Sequence, residues 1–274
     1  MSRPSAPEIH VSSRLPEAPD VIGNRNFYSA YDWSRGGEEW SEDWGGSDGL
    51  WFATLYPRLR AFLPAGHVLE IGCGCGRVTH YLRAWAERMT VVDVVERCVE
   101  RCRERFAAGG GGHIAYAVND GVSLDMVEDG SVDLAVSWET LVYAEHATVR
   151  AYLKELAAKL RRGGAALIHH SNLGEHGDAQ AVGGALTAGR RASTSAEKVR
   201  GDCAEFGLRC VSQEIFSAND SGYWTDCITL CVRDGVGGGD AGAAARVERR
   251  HDWALEKANA RRMMEMYRRP REIG

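Results

Sequence analysis

The stretch Val68-Leu69-Glu70-Ile71-Gly72-Cys73-Gly74-Cys75-Gly76-Arg77 limits the fold of this chain more than any other part of it. A short apolar run that breaks into alternating glycines reads as a buried strand turning sharply into a helix. Glycine permits the turn and lets a ligand come close to the backbone. In open α/β sheets such a turn lies at the carboxyl end of a strand, which is where these sheets bind their ligands.

The chain beyond it repeats the theme. Helical spacing over Arg77 to Arg88 precedes a second strand, Thr90 to Val94, and a helix running to Phe106. Gly109 to Gly112 forms a turn before a third strand, His113 to Val118. A fourth, Val132 to Trp138, leads into a long helix over Ala147 to Leu160, and a fifth covers Ala165 to His169. Thr194 and Glu197 are spaced as a capping box for another helix, which Gly207 closes. Two last strands, near Cys210 to Phe216 and Asp226 to Val232, follow one another directly and read as a hairpin. The alternation predicts a Rossmann-like, doubly wound α/β fold. Its sheet is expected to have seven strands, mainly parallel with one antiparallel strand at an edge, and helices on both faces.

That domain occupies residues 65–233, with additions on either side. Residues 1–20 are proline-rich and polar and are expected to be disordered. Residues 21–64 carry Tyr28, Tyr31, Trp33, Trp40, Trp44, Trp51 and Phe52 and read as a helical aromatic cap, either a lid over a site or packing against the sheet. Residues 234–245 read as a Gly/Ala linker, and 246–274 as a basic helix with Trp253, Leu255, Met264 and Tyr267 on its apolar stripe.

Composition excludes several classes of function. A net charge of -5 leaves no basic footprint for nucleic acid. No apolar run reaches the ~18 residues that a membrane span needs, and no secretory h-region is present, so a soluble cytoplasmic protein is expected. The eight cysteines include no CxxC pair, and the acids are scattered. No metal is therefore expected, and the thiols read as reduced and buried.

Two further strand ends extend the glycine loop into a crevice. Asp93 ends the second strand, where a carboxylate can accept both ribose hydroxyls of an adenosine group. Asn119-Asp120-Gly121 ends the third, where an acid or amide can bond the adenine amino group. Cys73, Arg77, Val94 and Trp138 flank these positions and join the expected cofactor contacts. The nicotinamide fingerprint GxGxxG needs glycine at position 77, where Arg77 stands, and Glu70 fits poorly beside a pyrophosphate. It suits the cationic amino-acid end of S-adenosylmethionine.

On these residues, Leu69 to Leu173 resembles the class I S-adenosylmethionine-dependent methyltransferases. The matching pieces are Glu-Ile-Gly-Cys-Gly-Cys-Gly, Asp93, Asn-Asp-Gly at 119–121, Ser-Val-Asp-Leu at 131–134 and the strand after Arg-Arg-Gly-Gly at 161–164. The resemblance implies Glu70, Gly72 and Gly74 near the methionine part, Asp93 on the ribose and Asp120 near adenine. More narrowly, Asn119 to Gly174 is similar to small-molecule methyltransferases of sugar and natural-product pathways.

Methyl transfer needs an in-line nucleophile: an alcohol gains from a base, whereas an amine needs only to be unprotonated. Candidate bases follow the fourth strand (Glu139, Tyr143, His146) and the fifth (His169, His170). Histidine, with an ordinary pKa of ~6.5, suits the task best. Strand alternation sends at most one of the adjacent pair toward substrate. His146 opens a helix and serves equally as a cap. The expected activity is O-methylation of a hydroxyl on a sugar or glycosylated natural product; the alternative is N-methylation of an aminosugar or other small amine. A cofactor-binding protein without turnover is the rival from another class. The expected partner is a small-molecule acceptor, with no nucleic acid and no membrane, and homo-oligomerisation is left open.

Overall fold

The computed structural model describes residues 9–11, 18–109, 111–177, 189–218, 223–234 and 244–268. One sheet of nine strands runs through them. The strands are β1 (Ile9–Val11), β2 (Ala65–Ile71), β3 (Ala86–Asp93), β4 (Ile114–Val118), β5 (Val132–Leu141), β6 (Leu160–Ser171), β7 (Arg209–Phe216), β8 (Asp226–Val232) and β9 (Arg246–Arg250). Their spatial order is β1-β4-β3-β2-β5-β6-β8-β7-β9. β8 is antiparallel to both neighbours, and all other pairs are parallel.

The Rossmann-like architecture is as expected, but the strand count is nine rather than seven. Both extra strands are edges. β1 comes from the segment expected to be disordered and pairs with β4, and β9 comes from the segment expected to be helical and pairs with β7. Neither carries a legible pattern, because Ile-His-Val is only three residues long and Arg-Val-Glu-Arg-Arg is charged at four of five positions. Backbone pairing to an open sheet edge holds them. The antiparallel strand is also not an edge, because β8 returns from β7 into the gap beside β6.

The inner strands are buried on both faces, as a parallel sheet covered by helices requires. Val68, Leu134, Val136 and Leu167 face the cap residues Leu50, Trp51, Leu55 and Leu59, together with α2 (Glu96–Phe106). Leu69, Ile71, Ala135 and Ile168 face α3 (His146–Lys159) and α4 (Ala196–Glu205). The N-cap of α4 is Ser195, which accepts from the Lys198 N–H, and not Thr194. Helical spacing after Arg77 yields only one turn, Thr79–Leu82, and a 3-10 turn, because β3 already begins at Ala86.

The C-terminal helix, α5 (Trp253–Met266), starts later than expected. Trp253 is buried and Met264 packs at Gly45 and Gly49, whereas Leu255 and Tyr267 face outward instead of joining the docked stripe. The expected linker lies mostly outside the described residues, as do most of the N-terminal tail and residues 269–274. Among the described residues no helix is long and apolar enough to cross a membrane.

Candidate active site

Between β2 and β5 the strand order reverses direction, and a crevice opens at the carboxyl ends of the two strands. A cleft of about 290 Å³ lies there. The glycine loop forms its floor. Gly72 has φ 79°, and a Cβ there would come within 2.1 Å of the Thr140 hydroxyl. Gly74, also left-handed at φ 49°, has only the Trp33 ring near a hypothetical Cβ, at 3.6 Å. Packing excludes a side chain at the first position, while the second leaves bare backbone facing the cleft.

Three carboxylates stand at or just past the carboxyl ends of β2, β3 and β4. Glu70 is fully buried and accepts from the Thr79 hydroxyl at 2.6 Å. Burial pushes its carboxyl up to about 8, with Thr79 and Arg77 opposing the shift. Asp93 accepts from the Gly74 N–H on one oxygen and the Val95 N–H on the other, both at 2.9 Å, and burial raises it. Each oxygen keeps a lone pair for a ligand hydroxyl. Asp120 accepts from Val122 and Ser123 N–H through Oδ1, while Oδ2 is buried with no partner among the described residues. Such an orphan costs about 1–3 kcal/mol until a donor reaches it. Gly121, next in the chain, lines the cleft, as do Cys73, Arg77, Val94 and Trp138. Neither Asp120 nor Asn119 is among the residues lining it; the Asn119 amide donates to the Ser123 carbonyl and the Tyr152 hydroxyl, and its Oδ1, like the Asp120 Oδ2, is buried with no partner among the described residues.

These groups fit S-adenosylmethionine. An ammonium relieves a buried carboxylate at Glu70, two hydroxyls match Asp93, and an amino group matches the Oδ2 of Asp120.

Helix α1 (Pro19–Ala30) lies across the cleft. Asp20 accepts from the Glu145 N–H at 2.8 Å and the Thr148 hydroxyl at 3.2 Å, supplying the N-terminus of α3 with the cap its own Glu145 does not provide. Asn24 donates to the Tyr143 carbonyl and Arg25 to that of Val94. The aromatics of this segment divide between the cleft, the core and the surface. Tyr28, Trp33 and Trp40 line the cleft, Trp44 and Trp51 are core, and Phe52 is exposed.

At the other end of the cleft β5 bulges beyond Ser137. Such bulges re-aim side chains at strand ends. Glu139 in the bulge has φ 53°, the only positive φ of a non-glycine among the described residues. A left-handed residue of this kind costs on the order of 1–3 kcal/mol and points to a functional constraint. An ion pair with Arg77, itself bonded to the Ser41 hydroxyl, holds it facing the cleft.

The expected histidines fare differently. His170 is fully buried between the Ser171 carbonyl and the Thr229 hydroxyl, off the cleft, and burial lowers it to about 4. His146 also leaves the set, because it opens α3 and bonds Asp202 at 2.7 Å. His169 is near but committed: its Nε2 lies 2.9 Å from Asp226, and its Nδ1 faces the Glu139 N–H at 3.4 Å. Tyr143 lines the cleft beneath Arg190, and burial raises its phenol.

Arg190 was not legible in the sequence. Its guanidinium meets Asp226 at 3.0 Å. Burial alone would raise the Asp226 carboxyl, but Arg190 and His169 hold it well below the ordinary carboxylate range. No spacing joins residues 169, 190 and 226; only the β6–β8 pairing brings two of them together.

Residues 68–164 match the family model of a methyltransferase domain. This segment is a class I S-adenosylmethionine-dependent methyltransferase domain. Its cofactor is S-adenosylmethionine. Nodulation protein S of Sinorhizobium fredii is 33% identical over 102 residues, which is 37% of this chain and 45% of that protein. Nodulation protein S of Bradyrhizobium diazoefficiens is 36% identical over 98 residues, with 34% and 45% covered. The methyltransferase domain thus matches less than half the length of these relatives. In fold it is similar to the N-methyltransferase NodS of Bradyrhizobium japonicum WM9 in complex with S-adenosyl-L-homocysteine. The TM-score is 0.56 at 20% identity, over 79% of this chain and all of that one.

Proposed function

We propose that the chain transfers a methyl group from S-adenosylmethionine to an amine on a small molecule, with an aminosugar as the acceptor class. This replaces the hydroxyl acceptor favoured by sequence alone. The observation that carries it is the lack of a free base: among the described residues no histidine lines the cleft. Glu139 is paired with Arg77, and both ring nitrogens of His169 have partners. An alcohol needs a base in the transition state, and an amine that arrives neutral does not. The N-methyltransferase NodS supports the same choice.

Glu70 holds the ammonium of the bound cofactor, Asp93 its ribose hydroxyls and Asp120 its adenine amino group. The cofactor supplies a methyl carbon activated by a sulfonium, and the C–S electron pair stays on sulfur as the methyl leaves. Glu139 accepts an N–H of the acceptor and aims the nitrogen lone pair at that carbon. The new N–C bond leaves an ammonium, which gives its extra proton to water once the product has left the cleft. Tyr28, Trp33, Trp40 and helix α1 exclude water from the reacting pair.

The test is formation of S-adenosylhomocysteine with a panel of amines and alcohols. Turnover with amines, its pH profile following the acceptor's own pKa, is the expected result. Turnover with alcohols alone would refute the amine reading.

A further inference from the structure

A second pocket of about 110 Å³ adjoins the cleft and shares Trp40, Trp138, Glu139 and Arg190 with it. Its apolar wall is a continuous set of rings. Trp253 of α5 stacks on Phe216 with centroids 3.9 Å apart, Phe216 lies 5.5 Å from His169, and His169 lies 4.6 Å from Trp138. Polar groups complete it: Glu139 on the shared side, and Lys257 of α5 with Asp43 at 2.8 Å. Trp138 is 5% exposed, and its indole N–H has no acceptor among the described residues.

We propose that this side pocket is the acceptor's ring subsite and that α5 sets acceptor specificity through it. The proposal rests on the amine reading. The occupant is the edge of a polyhydroxylated ring, as in a pyranose, which meets the rims of these packed aromatic rings, each 5% exposed or less, and whose amine reaches Glu139. Ring hydroxyls take up the one N–H that Lys257 keeps after donating to Asp43 and to the Ala218 carbonyl, and the indole N–H of Trp138. A purely aliphatic amine satisfies none of these groups. Glu139 stands at the junction of the two spaces, so a ring seated in the smaller one brings its amine to the cofactor side. The C-terminal helix α5 thus forms part of the acceptor site, far in sequence from the glycine loop.

The probes are D-glucosamine, D-glucose and hexylamine, followed by tryptophan fluorescence with S-adenosylhomocysteine present. Ala218→Leu fills the pocket from its lining, and Lys257→Met removes that N–H. Saturable glucosamine binding is expected, weakened about tenfold by either variant, with hexylamine unaffected. Affinity for S-adenosylhomocysteine should stay within about twofold, which shows that the variants are folded. The proposal fails if glucosamine does not saturate the unaltered protein, if both variants bind it unchanged, or if hexylamine weakens in step. Hexylamine methylation without glucosamine binding would overturn the subsite and leave the amine reading. Pocket-dependent glucosamine binding with methylation only at a hydroxyl would do the reverse.

Discussion

With its carboxyl pushed up to about 8, Glu70 is largely protonated at neutral pH in the ligand-free protein. An ammonium beside it favours the carboxylate, so cofactor binding should release a proton. Affinity for S-adenosylhomocysteine should therefore climb from pH 6 to about 8 and level off above. Calorimetry in two buffers of different ionisation enthalpy reads the proton directly, and equal heats in both would sink the assignment. The stability sign runs the other way. Between its ordinary 4.5 and about 8 the folded chain keeps a proton that the unfolded chain has lost, so Glu70 makes the ligand-free protein less stable as pH rises. His170, lowered to about 4, binds its proton only on unfolding between 6.5 and 4, and so takes stability away as pH falls through that window. Replacing it with alanine should cost about 2–4 kcal/mol in chemical denaturation, from the cavity and the orphaned Thr229 hydroxyl, without altering cofactor affinity. Glu70, Asp93 and the glycines were legible as cleft residues because their places at strand ends follow from a local pattern. His169 and His170 were half legible: alternation correctly allowed only one to approach the site, but the partner that occupies it, Asp226, lies in another strand.

Four charged side chains tie the cap, β7, β9 and α5 together. Arg58 of the cap meets Glu214 of β7 at 2.6 Å and Glu256 of α5 at 3.0 Å, while Arg250 of β9 meets the same two carboxylates at 2.6 and 2.9 Å. All four are largely buried, so removing one leaves opposite charges uncompensated. Glu256→Ala should lower the unfolding free energy by about 3 kcal/mol, seen as a lower urea midpoint. A drop of a few tenths would mean that solvent screens the network. Sequence gave no sign of this square, since its members are far apart along the chain and Arg250 looked like a residue on a helix face. Strands β2 to β6 were legible as apolar runs, with Gly, Asp or Asn marking the ends of β2, β3 and β4. The edges were not, because their cohesion lies in backbone pairing rather than in side-chain pattern.

Across the whole molecule, the cleft joins the cap, the glycine loop, the end of β5 and Arg190, so a ligand there stabilises several parts of the chain at once. S-adenosylhomocysteine at about a hundred times its Kd should add about 2.7 kcal/mol and raise the melting temperature by roughly 5–10 °C, with NAD giving no shift. An equal shift with NAD would reopen the cofactor assignment. The sheet that carries the cleft ends on one side in three residues and on the other in Arg-Val-Glu-Arg-Arg. Neither offers a neighbouring molecule a long apolar row of open amides and carbonyls, which keeps crowded copies from zipping into fibrils. Trimmed back before Arg246, the chain would bare the eight-residue β7 instead, and concentrated solutions should then turn cloudy and bind amyloid dyes.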